Sequence, residues 1–225
     1  MCNYKDFQPA DSGRVRENIE WSRFYAYNAP DRNNPRVLLI GDSICVNYHG
    51  GVRNALQDCA NVAFWASSKC VTDPDYFREL DFYLDAYPYD MICFNNGLHC
   101  LTTQRDAWQT AYEAALSFIR AKLPHAKLSI VLCTAMGDRR NETVQQINGL
   151  TEQIATTRGL PLVDLYTPTQ ALDKSAHMRD AFHYTESAVQ MQADIMAAHI
   201  RSVLLLQNGT LHQNSTETGP DGALA

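Results

Sequence analysis

Val37-Leu38-Leu39-Ile40-Gly41-Asp42-Ser43 is the stretch that decides the fold. Four apolar residues in a row, with no polar alternation, are the pattern of a strand covered on both faces. The run ends in a small turn that leaves a serine at the strand's carboxyl end. Four more short apolar runs follow, at 62–66, 91–94, 128–133 and 162–165. Amphipathic stretches lie between them. Residues 41–51 read as a turn and 52–59 as a short helix. A helix over 75–86 is opened by Asp73 as cap with Pro74 at its first position. A long helix over 104–123 carries Trp108, Ala111, Ala115 and Phe118 at helical spacing. Gly159 stops a helix over 142–158, and a last helix spans 185–206.

Short apolar strands alternating with helices predict an α/β fold. The expected architecture is a three-layer, flavodoxin-like sandwich. Its parallel sheet has five strands in the order 2-1-3-4-5, with helices on both faces and right-handed crossovers. Ligands of such sheets bind beyond the carboxyl ends of the strands. Residues 1–35 are polar and irregular, with aromatics at Trp21, Phe24, Tyr25 and Tyr27. They read as an N-terminal arm whose aromatics pack on the main body, 36–206. Residues 207–225 carry little apolar content and read as a mobile tail.

The bulk composition narrows the function classes. A chain of 225 residues, 45% hydrophobic and 20% charged, suits one soluble domain. A net charge of -6, without a basic patch, argues against nucleic acid as a partner. No apolar stretch approaches the ~20 residues of a membrane span. The start, Met-Cys-Asn-Tyr-Lys-Asp, lacks a signal peptide's apolar region, so a cytoplasmic protein is expected, or a secreted or periplasmic one if a leader was removed. Seven cysteines are irregularly spaced, without Cys-x-x-Cys. They read as free thiols, several of them buried in apolar runs. Asn141, Asn208 and Asn214 match the glycosylation pattern, which reads as chance without a secretion signal.

The candidate chemistry sits at the carboxyl edge of the sheet. Ser43 follows the first strand and His99 the third, and Asp180-Ala-Phe-His183 precedes the last helix. A serine, a histidine and an acid supply nucleophile, base and orienter if the chain folds back. Each also has a plainer role: Gly-Asp-Ser serves turns and caps, and His183 can stand at a helix start. A metal site from His177, Asp180 and His183 is conceivable by spacing, but no metal is expected. Gly41–Gly51 lacks both Gly-x-Gly-x-x-Gly and Gly-Lys-Ser/Thr, so phosphate cradling is unsupported.

The order of these blocks resembles the SGNH/GDSL hydrolases over roughly residues 36–205. Gly41-Asp42-Ser43 resembles that family's first block and Asp180-x-x-His183 its last. Gly97-Leu-His-Cys100, after a strand opened by Asp90, lies where its Gly-x-Asn-Asp block falls. The resemblance implies a serine esterase working through an acyl-enzyme. Ser43 would be the nucleophile, His183 the base and Asp180 the orienter. The Ser43 N–H and His99, in place of the family's asparagine, would face the oxyanion. Asp42, Asn95 and Asn96 are expected to line the substrate site, and either amide could share the oxyanion role. Residues 66–73 lack the family's second-block glycine, so an N–H near Cys70 or Val71 is expected to replace it. The implied partner is a small-molecule or glycan ester, with short-chain or carbohydrate O-acyl esters favoured and no cofactor. Oligomeric state is open. The rival reading is a non-catalytic relative that binds a glycan or other small ligand.

Overall fold

The computed structural model describes residues 2–10 and 16–213, the last of these (206–213) by backbone alone. Six strands form one sheet: β1 (Ser22–Ala26), β2 (Arg36–Gly41), β3 (Asn61–Ser67), β4 (Met91–Phe94), β5 (Lys127–Val131) and β6 (Leu162–Val163). Their order is β1-β3-β2-β4-β5-β6. Strands β2 to β6 are mutually parallel, in the order predicted for five strands. The helices are α1 (Ser43–Ala55), α2 (Pro74–Leu84), α3 (Arg105–Lys122), α4 (Asn141–Arg158), α5 (Tyr166–Gln170), α6 (Lys174–His177) and α7 (Glu186–Gln213). They cover both faces of the sheet, α1 packing on α7 and α3 on both α2 and α4.

The sixth strand corrects the five-strand expectation. β1 pairs antiparallel with β3, so part of the presumed arm completes the sheet. An edge strand needs no continuous apolar run, and Ser22-Arg23-Phe24-Tyr25-Ala26 has none. Phe24 stacks on Tyr83 with centroids 4.7 Å apart, while Tyr25 stays 56% exposed. Trp65 Nε1 donates to Ser22 Oγ at 2.9 Å, fastening the edge.

Two helix boundaries also differ from expectation. The segment read as a turn over 41–51 is the first part of α1. Gly51, at the end of that stretch, is a site of close approach. A Cβ there would stand 2.6 Å from the Ala193 Cβ of α7. At the other end α7 continues to Gln213, past the expected stop at 206. The rest of the expected tail, 214–225, lies outside the described residues.

The thiol expectation is corrected at one pair. Cys70 and Cys100 form a disulfide with Cα atoms 5.2 Å apart, while Cys2, Cys45, Cys59, Cys93 and Cys133 are free. The pair joins the loops after β3 and β4. β3 and β4 flank β2, so the loops that follow them meet across its end, which linear spacing could not reveal. No helix among the described residues is long and apolar enough to cross a membrane.

Candidate active site

The Gly-Asp-Ser turn is explained residue by residue. A Cβ on Gly41 would lie 2.8 Å from Cys45 Cβ, so only glycine lets the first turn of α1 fold back on the strand end. Asp42 caps the helix, its Oδ1 accepting from Ile44 N–H at 2.9 Å. Ser43 is the first helical residue. Its N–H carries no hydrogen bond among the described residues and stands at the positive end of the helix dipole. Burial pushes the Asp42 carboxyl up; neighbouring His99, the Ile44 N–H and His183 pull it back.

The Asp-x-x-His block is a closed local loop. Met178 and Tyr184 form an antiparallel bridge, and Arg179 N–H donates to the His183 carbonyl at 2.8 Å. At the tip, Asp180 Oδ1 accepts from the N–H groups of Phe182 and His183, both at 2.8 Å. Oδ2 lies 2.8 Å from His183 Nδ1. The three-residue spacing is what lets one carboxylate turn the backbone and hold the ring. Burial works against the Asp180 charge. The bonds from the His183 ring and the two N–H groups outweigh it and bring the carboxyl down to about 2. Tyr184 anchors the loop by donating to the Ala135 carbonyl, and Gly137 N–H donates to Ala181 at 2.9 Å.

Ser43 Oγ lies 2.9 Å from His183 Nε2. The structure thus brings Ser43, His183 and Asp180 into one hydrogen-bonded chain from residues 140 apart. Because Asp180 can only accept, Nδ1 bears the proton and neutral Nε2 accepts from the serine. That arrangement can remove the hydroxyl proton during attack.

The other expected residues divide. Asn95 N–H donates to the Ile40 carbonyl at 2.9 Å, placing the loop after β4 beside the serine turn. His99 follows in that loop, its Nδ1 2.6 Å from Glu17 Oε1. Asn95 and Asn96 each spend an amide N–H inside the fold. Asn95 Nδ2 donates to the Val131 carbonyl at 2.8 Å, and Asn96 Nδ2 to the Lys69 carbonyl at 2.9 Å. Both are buried, and these bonds brace the loops that carry them. The N–H groups proposed to replace the second-block glycine are also spent. Cys70 N–H donates to Asp73 Oδ2 and Val71 N–H to Asn96 Oδ1, each at 2.9 Å. These groups close the loop on itself, which a buried backbone requires. No group of three His, Cys, Asp or Glu among the described residues is arranged to hold a metal ion.

Sequence reasoning missed Glu17. It lies in a polar stretch with no local pattern, 82 residues from His99. Arg140 over the Phe182 ring, 4.2 Å from its centroid, was likewise invisible. Both contacts exist only once distant loops meet.

No protein-family model matches the chain, and no curated protein sequence does. Solved structures do resemble it. An acetyl xylan esterase, AlAXEase, superposes with a TM-score of 0.64 at 16% identity, over 73% of this chain and 99% of that one. A putative lipolytic protein of the G-D-S-L family from Desulfitobacterium hafniense DCB-2 gives 0.60 at 13% identity, over 73% and 99%. A carbohydrate esterase of family 3 from Talaromyces cellulolyticus gives 0.57 at 16%, over 75% and 97%. At these identities the likeness is one of architecture: the chain has the fold of the G-D-S-L lipolytic proteins and carbohydrate esterases.

Proposed function

We propose that this protein is a serine ester hydrolase of the SGNH/GDSL type, acting on short-chain or carbohydrate O-acyl esters. The observation that carries the reading is the hydrogen-bonded chain from Ser43 through His183 to Asp180, at the carboxyl edge of a parallel sheet. His183 takes the Ser43 proton as Oγ attacks the ester carbonyl. Asp180 holds the ring in the working tautomer and faces the positive charge it acquires. The free Ser43 N–H and His99 serve the oxyanion, where one such donor is worth about 3–4 kcal/mol. The alcohol leaves with the proton from His183, and water releases the acyl group by the reverse route.

The substrate class is supported by architecture. Several similar structures are described as carbohydrate esterases, one of them in complex with cellohexaose. Hydrolysis of p-nitrophenyl acetate and butyrate by wild type and Ser43→Ala, followed by acetylated sugars, tests the proposal. Undiminished turnover by Ser43→Ala would falsify it.

The spent N–H groups of residues 70 and 71 favour one rival: a glycan-binding relative with an incomplete oxyanion site. A fluorophosphonate separates the two, since a binding module has no activated serine to label.

A further inference from the structure

The turn that carries Asp180 and His183 lies between α6 and α7, where the chain has one isolated bridge, Met178 to Tyr184. The two side chains are open to solvent, Asp180 52% exposed and His183 32%. Regular structure therefore does not hold the pair. A surface segment of this kind has low local stability unless a neighbour fixes it. Yet His183 Nε2 stands 2.9 Å from Ser43 Oγ, on another element.

The neighbour is the loop between β5 and α4, residues 132–140. The two segments meet at three successive points. At the base, the Tyr184 hydroxyl donates to the Ala135 carbonyl. In the middle, Gly137 N–H donates to the Ala181 carbonyl at 2.9 Å. A Cβ on Gly137 would stand 3.2 Å from Met178 Sδ, so the approach is close. At the tip, the Arg140 guanidinium lies over the Phe182 ring, 4.2 Å from its centroid. This third contact grips a side chain inside the Asp-x-x-His block itself.

Arg140 is held in turn. Asp138 Oδ1 accepts from Arg140 N–H at 3.0 Å, and Nη2 and Nε donate to Oδ2 at 2.6 and 2.9 Å. Such a fork fixes the plane of a guanidinium, which a lysine ammonium cannot reproduce. Phe182 is joined to the site on its other side. Its N–H donates to Asp180 Oδ1 at 2.8 Å, and its ring centroid lies 6.2 Å from that of His183. A displaced Phe182 therefore pulls on the carboxylate that orients His183.

We propose that Arg140, locked by Asp138, is a positioning residue that pins Phe182 and so holds the Asp180–His183 turn where His183 meets Ser43. The inference rests on the hydrolase reading. Arg140 acts through Phe182, so its effect falls on the chemical step and not on substrate binding.

The test is a double-mutant cycle on p-nitrophenyl acetate, using the full chain. Arg140→Ala is expected to lower kcat about 5- to 30-fold with KM within about twofold, because a small misplacement of the base is costly to the chemical step. Fluorophosphonate labelling of Ser43 should slow by a similar factor, since it needs the same proton transfer. Arg140→Lys keeps a cation for Phe182 without the fork and should recover part of the rate. In a Phe182→Ala background, Arg140→Ala should change kcat by less than about twofold. Equal losses in both backgrounds, a raised KM at unchanged kcat, or wild-type kcat in Arg140→Ala would overturn the inference. Thermal unfolding of each variant identifies loss through unfolding. Should Arg140→Ala not fold, Asp138→Asn carries the same test: it loosens the fork and should lower kcat about 2- to 5-fold, and wild-type kcat there overturns the inference. If Ser43→Ala abolishes turnover while the Arg140 variants match wild type, the inference alone fails. If wild type has no turnover, or Ser43→Ala retains it, both fail.

Discussion

Two serine–histidine pairs exist among the described residues, and they have the same separation. Ser43 Oγ and His183 Nε2 are 2.9 Å apart; so are Ser129 Oγ and His199 Nε2. Ser129 lies within β5, fully buried, opposite Cys93 in the sheet. Its backbone belongs to the ladder, and no ester could reach it. His199, on α7, has no carboxylate among its hydrogen-bond partners, and burial pushes its pKa down. Ser43 instead opens a helix with its N–H unspent, and His183 is backed by Asp180. A short O···N distance is therefore not the mark of a nucleophile. What differs is the third partner, access, and a donor placed for the charge that develops.

The largest effect should separate the two serines. Ser43→Ala is expected to cut ester turnover by about 10⁴-fold or more, on the scale of a lost triad member. Ser129→Ala should leave turnover within about twofold, since it touches none of the reacting groups. It should instead cost about 1–3 kcal/mol of stability, because it leaves a half-buried imidazole nitrogen unpaired. Peptide mapping after fluorophosphonate treatment should find label on Ser43 and none on Ser129. A labelled Ser129, or a fully active Ser43→Ala, would break the contrast.

Asp180→Asn removes the feature that Ser129 and His199 lack. The amide nitrogen would favour the wrong tautomer of His183, so kcat should fall about 10³- to 10⁴-fold with the fold retained. The Asp180 carboxyl is held near 2, below its usual 3.8. It therefore stays ionised in the native state as pH falls through the mildly acidic range. Its contribution to stability is present above about 4 and is lost as pH falls through about 2. An acid step near 4 from this carboxyl should accordingly be missing from the rate profile.

Gly41→Ala should come next in size. The added Cβ would meet Cys45 Cβ at 2.8 Å, so strand and helix must part. About 1–3 kcal/mol of stability should go, as for other overpacked sites. Turnover should fall by more than the unfolded fraction explains, because Ser43 moves with the turn. Ser129, on another strand, should keep its bond. Turnover that merely follows the folded fraction would show that the close approach serves packing alone.

The contrast also shows what a linear reading can find. The parallel core was legible because β2, β4 and β5 are apolar runs, a signal that both-face burial writes directly into sequence. The meeting of Ser43, His183 and Asp180 was legible because turn chemistry is local: Asp42 caps the helix that Ser43 opens, and Asp180, three residues before His183, holds both backbone and ring. β1 was missed because an edge strand with one neighbour carries no such run. The start of α1 was missed because 41–51 read as a turn, while Gly51 answers to Ala193 on a distant helix. Glu17–His99 and Cys70–Cys100 were missed for the same reason: tertiary pairs leave no period in the chain.

The smallest effect sharpens the comparison from the buried side. Burial holds the pKa of His199 below 6.5, with no opposing charge to offset it. His49, packed against Phe64 and bonded to Tyr27, is also lowered, with burial the largest cause. For such groups the unfolded chain binds more protons than the native one between the lowered value and 6.5. Their native states cost nothing above 6.5, and stability declines as pH falls below it. A melting series from about pH 7 to about pH 5 should therefore show a falling Tm. His199→Gln can keep a bond to Ser129 but cannot titrate, so its Tm should fall less over that range. If the variant loses as much as wild type, His199 is not one of the groups that acid opens, and the inert pair is more tolerant of charge than its burial implies.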